Sequence, residues 1–290
     1  MALSVPAAYC GRPAAAGATQ WPQEQSSTGG FRMKAVLTVA ALFAASVAAM
    51  PAARAADGAL QAIRQAGVVR VGTTGDYKPF SYKGADGALV GADIEMAKEL
   101  AGALGVRAEF VQTSWKTLLD DFKADKFDIA LGGITVNPDR AAVGDFSVAN
   151  VSDGKRPIAR CADKDKFTTV EKIDQPTTRV VVNPGGTNEK FARATFTKAP
   201  IEVWPDNKTI FAQIAADKAD VMVTDGIEAD MQAKLNPGVL CAVPVASPFT
   251  HFENAYLLRK DPELKQAVDA WMTGALSGGL WKAKLDAAMQ

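Results

Sequence analysis

The segment 183–191, Asn-Pro-Gly-Gly-Thr-Asn-Glu-Lys-Phe, decides how the rest of this chain is interpreted. It follows an apolar β-branched run, 180–182, and precedes a run that is typical of a helix. The pattern therefore predicts a strand, a glycine turn and a helix start. Glycine lets the backbone approach a ligand closely, and the free amides of Thr187, Asn188 and Glu189 at a helix N-terminus favour an anion. A small anionic ligand is predicted at this turn, although a simple strand-to-helix connection would show the same two glycines.

The N-terminus has the pattern of a secretory signal peptide. A charged start at Met33, an apolar stretch and the small-x-small cleavage site Ala53-Arg54-Ala55 follow one another. We therefore expect a leader at 1–55, with the signal peptide at 33–55 and an over-long start before it. The alternative, a membrane anchor, needs about 20 apolar residues, more than this stretch provides. The mature protein would begin at Ala56 and reside in the periplasm without an anchor.

The composition limits the possible classes of protein. The chain has 32 basic and 32 acidic residues, and this balance argues against nucleic acid or an anionic membrane as partner. The mature region is long enough for one large domain or two lobes. Cys10 leaves with the leader, so Cys161 and Cys241 remain; an even count in an exported protein predicts one disulfide, with two buried thiols as the alternative. His251 is the only histidine and no two cysteines are close in sequence, so no metal site is expected.

Strands and helices alternate along the chain, which indicates parallel α/β units. The run Asp125-Lys126-Phe127-Asp128-Ile129-Ala130-Leu131 is then echoed by Asp217-Lys218-Ala219-Asp220-Val221-Met222-Val223. Two lobes of similar build would produce this echo. The patterns predict helices at 60–65, 93–104 and 118–122, strands at 68–73, 108–111 and 127–131, and a loop at 75–81.

We therefore predict an α/β fold of two lobes, each with a parallel-type sheet, and a ligand cleft between them. The first lobe would comprise 56–152 plus 249–290, and the second 153–248. Ligands of open parallel sheets bind outside the carboxyl ends of the strands. Four segments would then line the cleft: 72–77, 132–140, 183–189 and 224–228.

Several motifs resemble the periplasmic amino-acid-binding proteins of ABC transporters. They are Gly-Thr-Thr-Gly-Asp-Tyr-Lys-Pro-Phe at 72–80, Gly-Ala-Asp-Ile at 91–94, Thr-Val-Asn-Pro-Asp-Arg at 135–140 and Asp-Phe-Ser at 145–147. The resemblance covers nearly all of the mature chain. It implies the type II fold of periplasmic binding proteins, in which two crossover strands join two lobes that close on the ligand.

Longer segments resemble an enzymatic offshoot of that family, the periplasmic cyclohexadienyl dehydratases. The matching segments are 183–194, 205–207, 209–211, 224–225, 227–229, 113–115 and 153–155, and both mature cysteines also lie where that enzyme has them. The resemblance implies a hydro-lyase without a cofactor that converts prephenate to phenylpyruvate and arogenate to phenylalanine. A non-catalytic amino-acid-binding protein of a transporter is the alternative. Ala149-Asn150 departs from the Pro-Tyr pair that is usual in the family.

The chemistry of prephenate requires a clamp for two carboxylates and an acid for the ring hydroxyl. A guanidinium holds a carboxylate bidentately, so Arg140 is the expected clamp. Lys155 would supply a second cation, which suits a dianion. Thr135, Gly133 and Thr187 would add hydrogen-bond donors.

Other residues of the predicted cleft would orient the substrate. Trp115 and Tyr77 are expected to sandwich its ring. Asn183 would hydrogen-bond the leaving hydroxyl or a carboxylate. Asp225 would hold the amine of arogenate or orient other groups, and Asp76 also belongs to the predicted substrate site.

Glu228 is expected to be the proton donor. A glutamic acid with an ordinary pKa near about 4.3 is ionised at neutral pH unless burial raises that pKa. Glu189, the other candidate, lies at a helix start, where the helix dipole favours the charged form. Glu228 follows Asp225 at a predicted strand end, where a neighbouring carboxylate would raise its pKa. The resemblance to the dehydratases also places the proton donor there.

Overall fold

A computed structural model describes residues 58–290 of the chain. The predicted leader, its cleavage site and the start of the mature protein at Ala56 therefore lie outside the described residues. Within 58–290 no helix combines the length and the apolar character that crossing a membrane requires.

Short strands and helices alternate through the described chain. The strands are β1 (Val68–Thr73), β2 (Asp76–Tyr77), β3 (Ser81–Lys83), β4 (Leu89–Val90), β5 (Arg107–Gln112), β6 (Ile129–Ala130), β7 (Asp145–Phe146), β8 (Val151–Asp153), β9 (Lys155–Arg160), β10 (Val180–Val182), β11 (Ile201–Val203), β12 (Val221–Asp225), β13 (Leu240–Ala242), β14 (Phe252–Asn254) and β15 (Leu257–Leu258). The helices are α1 (Ala59–Ala66), α2 (Ala92–Leu104), α3 (Leu118–Lys123), α4 (Pro138–Ala141), α5 (Val170–Ile173), α6 (Thr187–Thr195), α7 (Ile210–Ala215), α8 (Gly226–Leu235), α9 (Pro262–Ser277) and α10 (Leu280–Ala288), with a 3₁₀ helix at Lys164–Phe167.

Two five-stranded sheets form the two lobes. The first has the strand order β5-β1-β6-β15-β7 and the second β11-β10-β12-β9-β13. In the first, β15 runs antiparallel to both neighbours, and in the second β9 does so. The predicted two-lobed α/β class is confirmed, but the sheets are mixed rather than wholly parallel. The antiparallel strand of each sheet is the one that enters from the other lobe, which is why its direction is reversed.

Two strands connect the lobes. β8 leads from β7 of the first sheet to β9 of the second, and β14 leads back from β13 to β15. The two crossover strands pair antiparallel, with Phe252 opposite Asp153 and Asn254 opposite Val151. The lobe boundaries at 152/153 and 248/249 stay a prediction.

The echo in the sequence corresponds to a repeated ion pair. The backbone amide of Arg70 donates to Asp128 Oδ2 at 2.9 Å and its Nη2 to Oδ1 at 2.6 Å. Arg179 makes the same two bonds to Asp220, at 2.8 and 2.6 Å. In each lobe, an aspartate directly before a buried strand thus binds an arginine of the neighbouring strand or directly before it. These strands are β6 and β1 in the first lobe, and β12 and β10 in the second.

The second sheet is covered on both faces, as a largely parallel sheet requires. Val180 and Val182 pack with Phe196 on one face, while Val181 packs with Ile210 on the other. All three valines have no exposed surface. This two-sided burial explains why β10 is a continuous apolar run instead of an alternating one.

A disulfide joins Cys161 to Cys241, with a Cα–Cα distance of 4.8 Å. Cys161 directly follows β9, and Cys241 lies in β13, the edge strand beside it. The disulfide prediction is confirmed, and the alternative of two buried thiols is wrong.

The longer predicted elements agree with α1, α2, α3, β1 and β5 within two residues at each end. The loop predicted at 75–81 is different, because β2 lies within it and pairs with β3, Asp76 opposite Tyr82 and Tyr77 opposite Ser81. The strand predicted at 127–131 is shorter, at Ile129–Ala130. Strands of two residues carry no periodicity from which they could be predicted.

Candidate active site

The junction of β12 and α8 carries the first part of the site. Asp225 ends β12 and occupies the N-cap position of α8, yet its side chain makes no capping bond with the helix. Instead Asp153, at the end of β8, accepts a hydrogen bond from the Ile227 amide at 2.8 Å. The Asp225 carboxylate is thereby left to face the interior, and Glu228 follows it in the first turn of the helix.

Glu228 is buried, with 1% of its surface exposed. The Thr224 hydroxyl donates a hydrogen bond to its Oε2. Burial raises the pKa of Glu228 to about 8; the Thr224 hydrogen bond opposes this rise, and the Asp225 carboxylate adds to it. Because this pKa lies above 7, the side chain is mostly a neutral carboxylic acid at neutral pH and can donate a proton.

Glu189, the other candidate acid, lies in the opposite environment. Its carboxylate accepts hydrogen bonds from the Gly185 amide at 2.7 Å and from Arg193 Nε at 2.8 Å. The Gly185 amide foremost holds the pKa of Glu189 below its ordinary value. Both glutamates stand in the first turn of a helix, so helix position does not separate them. The sequence argument from the helix dipole was therefore incomplete, and burial makes the difference.

A buried ion pair stands beside the acid. Lys155 Nζ lies 2.5 Å from Asp225 Oδ1 and also donates to Thr187 Oγ1 at 3.0 Å and to Asn188 Oδ1. The Tyr77 hydroxyl donates to the second oxygen of Asp225. Lys155 is 3% exposed, whereas an isolated lysine in a sequence is usually solvated. The charge of Asp225 is compensated within the protein.

The glycine turn packs against the opposite lobe. Gly185 has a φ of 79°, and a Cβ there would lie 2.5 Å from the Cα of Lys116. The sequence predicted that the backbone of this turn lies close to a ligand. At Gly185 the close neighbour is instead the backbone of Lys116. Behind the turn, the side-chain amide of Asn188 donates to Asn183 Oδ1 at 3.2 Å and to Thr224 Oγ1 at 3.0 Å.

Two aromatic rings form a corner of the site. Tyr77 and Trp115 meet edge to face, with centroids 5.4 Å apart and an interplanar angle of 90°. Trp115 Nε1 donates to Asp76 Oδ1 at 3.1 Å, and burial raises the pKa of Asp76. The two rings are perpendicular and in contact here, not parallel with a gap between them, so the predicted sandwich of a substrate ring stays a prediction.

Gly133 provides space for the Tyr77 ring and no hydrogen-bond donor for a ligand. Its amide, like that of Gly132, donates to the buried carboxylate of Asp93, at 3.1 and 3.0 Å. The predicted donor role of the Gly133 amide is therefore wrong. Its φ is 74°, and a Cβ there would lie 2.3 Å from Tyr77 Cε1. Glycine at 133 is required so that the Tyr77 ring can lie against the chain.

Arg140 is held beneath the site by α4. The Asn137 side chain caps this short helix by accepting from the Arg140 amide at 3.0 Å. The guanidinium donates to the Thr135 carbonyl at 2.7 Å. Only 6% of Arg140 is exposed, and burial lowers its pKa to about 10, against the attraction of Asp225. Arg140 is thus a buried cation that is still charged at neutral pH, and not a surface residue.

These groups surround a cavity that is partly open to solvent. Both lobes contribute to its wall. The residues that line it are Tyr77, Trp115, Gly133, Asn183, Gly186, Thr187, Asn188, Asn207, Asp225 and Glu228.

Most of the predicted site residues are brought together here. Lys155 contacts the wall residues Thr187, Asn188 and Asp225. Arg140, Thr135 and Asp76 are not among the residues that line the cavity. Sequence reasoning missed the side chains of Asn188 and Asn207. Asn188 was considered only for its backbone amide, and Asn207 only as part of a matching segment. An unusual density of asparagines near predicted turns, at 183, 188 and 207, is the one signal that could have indicated them.

Comparison with known families gives one match over most of the chain. The model of the bacterial extracellular solute-binding proteins, family 3, matches residues 69–286. Among individual proteins, the cyclohexadienyl dehydratase of Pseudomonas aeruginosa is 47% identical over 248 residues, which are 86% of this chain and 92% of that protein.

Solved structures show the same two kinds of relative. The crystal structure of the ancestral amino acid-binding protein AncCDT-1, a precursor of cyclohexadienyl dehydratase, has a TM-score of 0.73 at 34% identity and covers 80% of this chain and 99% of its own. A crystal structure of an ancestral cyclohexadienyl dehydratase, AncCDT-3, has a TM-score of 0.51 at 48% identity and covers 80% of this chain and 97% of its own.

Proposed function

We propose that this chain, which belongs to the bacterial extracellular solute-binding proteins of family 3, is a cyclohexadienyl dehydratase that acts on prephenate and arogenate. The observation that carries the proposal is Glu228, an acid with a pKa of about 8 in the wall of the cavity. A binding protein needs no proton donor at this position. The 47% identity to a cyclohexadienyl dehydratase supports the same conclusion.

In the proposed reaction Glu228 gives its proton to the ring hydroxyl. The C–O bond breaks and water leaves with the bonding electrons, while the bond to the ring carboxylate breaks and its electrons enter the ring. Carbon dioxide and the aromatic product result. Because aromatisation drives both bond cleavages, one positioned acid and a clamp are sufficient catalysts.

Lys155 serves the acid more than the substrate in this proposal. Its ammonium favours the charged form of Glu228, so it stabilises the carboxylate that remains after proton transfer. Asp225 compensates the charge of Lys155 and positions the Tyr77 hydroxyl. With these two bonds Asp225 orients its neighbours, which was one of its two predicted roles, and we do not assign it to the amine of arogenate.

Arg140 is the proposed clamp for a substrate carboxylate. The guanidinium is buried, and the Thr135 carbonyl accepts one of its N–H groups, which leaves further donors of its fork for a ligand. Thr187 and Asn183 line the cavity that Glu228 also lines, and their side chains can hydrogen-bond the substrate.

The proposed location is the periplasm. The family is extracellular, the Cys161–Cys241 disulfide suits an oxidising compartment, and the sequence before Ala56 has the pattern of a cleaved signal peptide. Mass spectrometry of the periplasmic protein would identify its N-terminus.

The test is to incubate the purified protein with prephenate and follow phenylpyruvate, and with arogenate and follow phenylalanine. Turnover of either substrate is the expected result. If neither reacts and calorimetry instead detects tight binding of an amino acid, the chain is a non-catalytic binding protein.

A further inference from the structure

Asn207 lies in the loop between β11 and α7 and has no role in the mechanism above. It lines the same cavity as Glu228, and only 7% of its surface is exposed. It belongs to the second lobe, yet its side chain reaches the first. A polar side chain so deeply buried is expected to have all its hydrogen bonds formed.

The orientation of the Asn207 amide is fixed by a bond across the cleft. Its Nδ2 donates to the backbone carbonyl of Asp76 at 3.1 Å. A carbonyl oxygen can only accept, so the NH₂ group must face Asp76. Oδ1 then faces elsewhere as a pure acceptor, and it has no partner among the residues that the structure describes.

The other two asparagines of the wall differ in this respect. Asn183 Oδ1 accepts from Asn188, and Asn188 Oδ1 accepts from Lys155. Their carbonyl oxygens are satisfied within the protein. A buried acceptor without a partner destabilises a protein, so the unpaired oxygen of Asn207 is suited to a donor from a ligand.

We propose that Asn207 Oδ1 accepts a hydrogen bond from the ring hydroxyl of the substrate. The proposal rests on the proposed function. An acceptor oxygen repels carboxylates and the keto group, and the hydroxyl is the only donor that prephenate carries in its ionised form. Arogenate carries the same hydroxyl, so one contact serves both substrates.

This contact would assist the chemical step. A hydroxyl that donates its hydrogen to Asn207 presents its lone pairs to another donor, Glu228. As the proton moves from Glu228 and the C–O bond lengthens, the oxygen becomes more positive and its hydrogen a stronger donor. The bond to Asn207 therefore strengthens in the transition state, and such an interaction acts on kcat.

The test compares Asn207→Ala with the wild-type protein. The kcat for both substrates should fall by roughly tenfold to a hundredfold, the range for a hydrogen bond to a charged group. The affinity for phenylpyruvate, which lacks the ring hydroxyl, should stay within about twofold of the wild type. A merely structural role would lower that affinity in parallel with kcat, and this result would overturn the proposal.

A second variant, Asn207→Asp, distinguishes the effect of the acceptor oxygen Oδ1 from the effect of the Nδ2 bond to the Asp76 carbonyl. It keeps an acceptor oxygen, loses the donor and adds a negative charge, so KM for the anionic substrates should rise. At saturating substrate its kcat should still lie closer to the wild type than that of Asn207→Ala. Equal losses in both variants would assign the effect to the Asp76 contact instead. Lys190→Ala, which removes an exposed ion pair across the cleft to Asp139, is the control and should retain its kcat.

Two other outcomes remain distinguishable. A loss of kcat for arogenate alone would mean that Oδ1 meets the ammonium, and the hydroxyl contact would be wrong. If the wild-type protein turns over neither substrate, the proposed function fails before any variant is compared.

Discussion

Glu228 and Glu189 stand at the same position in the first turn of two helices, α8 and α6. The helix dipole acts on both in the same direction. Yet burial raises the pKa of Glu228, whereas hydrogen bonds from an amide and an arginine lower that of Glu189. At Glu228, burial raises the pKa more than the helix dipole lowers it. At Glu189, direct hydrogen bonds lower the pKa more than partial burial raises it.

The first prediction concerns the pH dependence of turnover. Glu228 must be protonated to act, and its pKa is about 8. The value of kcat/KM reports the free enzyme, so it should be constant below about pH 8 and fall about tenfold per pH unit above it. Initial rates with prephenate between pH 6 and 10 would give this profile.

Glu189→Gln is the matched control for this profile and should preserve its shape. A decline that is already in progress at pH 6 would show that the catalytic acid is a solvated carboxyl group with an ordinary pKa. A profile without a decline would exclude a carboxylic acid with a pKa near 8.

Sequence reasoning identified which residues meet at the site but not how each is used. It could weigh Glu228 against Glu189 because both are carboxyl groups near predicted turns. It could not foresee that the Gly133 amide is bound to Asp93, 40 residues away in the sequence. Nor could it foresee that Tyr77 and Trp115 meet at a right angle. Such contacts depend on tertiary packing, which leaves no local pattern.

At the scale of elements, helix α8 shows how the fold supplies the site. The residue at its N-cap, Asp225, binds Lys155 instead of the helix. Its capping role passes to Asp153 on the crossover strand β8, which bonds the Ile227 amide. The strand that joins the lobes thereby also fixes the start of the helix that carries Glu228.

The second prediction follows from the capping of α8 by Asp153 instead of Asp225. Asp153→Ala should destabilise the protein by about 0.5–2 kcal/mol, the usual cost of losing an N-cap, and lower the melting temperature by roughly 1–8 °C. It should also lower kcat, because the first turn of α8 loses its anchor. Thermal unfolding and steady-state kinetics would measure the two effects.

Asp261→Ala is the matched control. Asp261 caps α9 by bonds to the Glu263 and Leu264 amides, at 2.8 and 3.2 Å, and does not line the cavity. Asp261 also accepts from the Leu60 amide of α1 at 3.0 Å, so Asp261→Ala should lose at least as much stability as Asp153→Ala, and it should keep its kcat. If both variants keep the wild-type kcat, the crossover strand does not position the acid.

Secondary-structure elements with a clear periodicity of apolar residues were predictable, and very short elements were not. α2 was predicted at 93–104 and occupies Ala92–Leu104. The echo at Asp125 and Asp217 correctly indicated two lobes of similar build, because each repeat preserves an ion pair to the neighbouring strand. The small sheet β2-β3-β4 was missed, since its strands are only two or three residues long.

At the scale of the molecule, residues of both lobes line the cavity that contains Glu228. Tyr77 of the first lobe bonds Asp225 of the second, and Asn207 bonds the Asp76 carbonyl across the same cleft. The sequence predicted this architecture through its resemblance to binding proteins. It did not predict the mixed sheets, because the direction of a strand depends on the lobe from which the chain arrives.

The burial that closes the cleft is also what makes Glu228 an acid. In an open, solvated cleft a glutamate would have its ordinary pKa and be ionised at neutral pH. A fold that binds small solutes would thus gain a proton donor from burial alone. This is the central claim of the account, and it depends on one carboxyl group.

The measurement that tests it most directly is kcat for prephenate in Glu228→Gln beside the wild-type protein. Glutamine keeps the shape of the side chain but cannot give up a proton, so kcat should fall at least about a hundredfold. KM should change little, because the acid acts as the hydroxyl departs. In Arg140→Met, by contrast, KM should rise, because a clamp for the bound substrate is lost. If Glu228→Gln retains most of the wild-type kcat, the buried carboxyl group is not the proton donor and the account is contradicted.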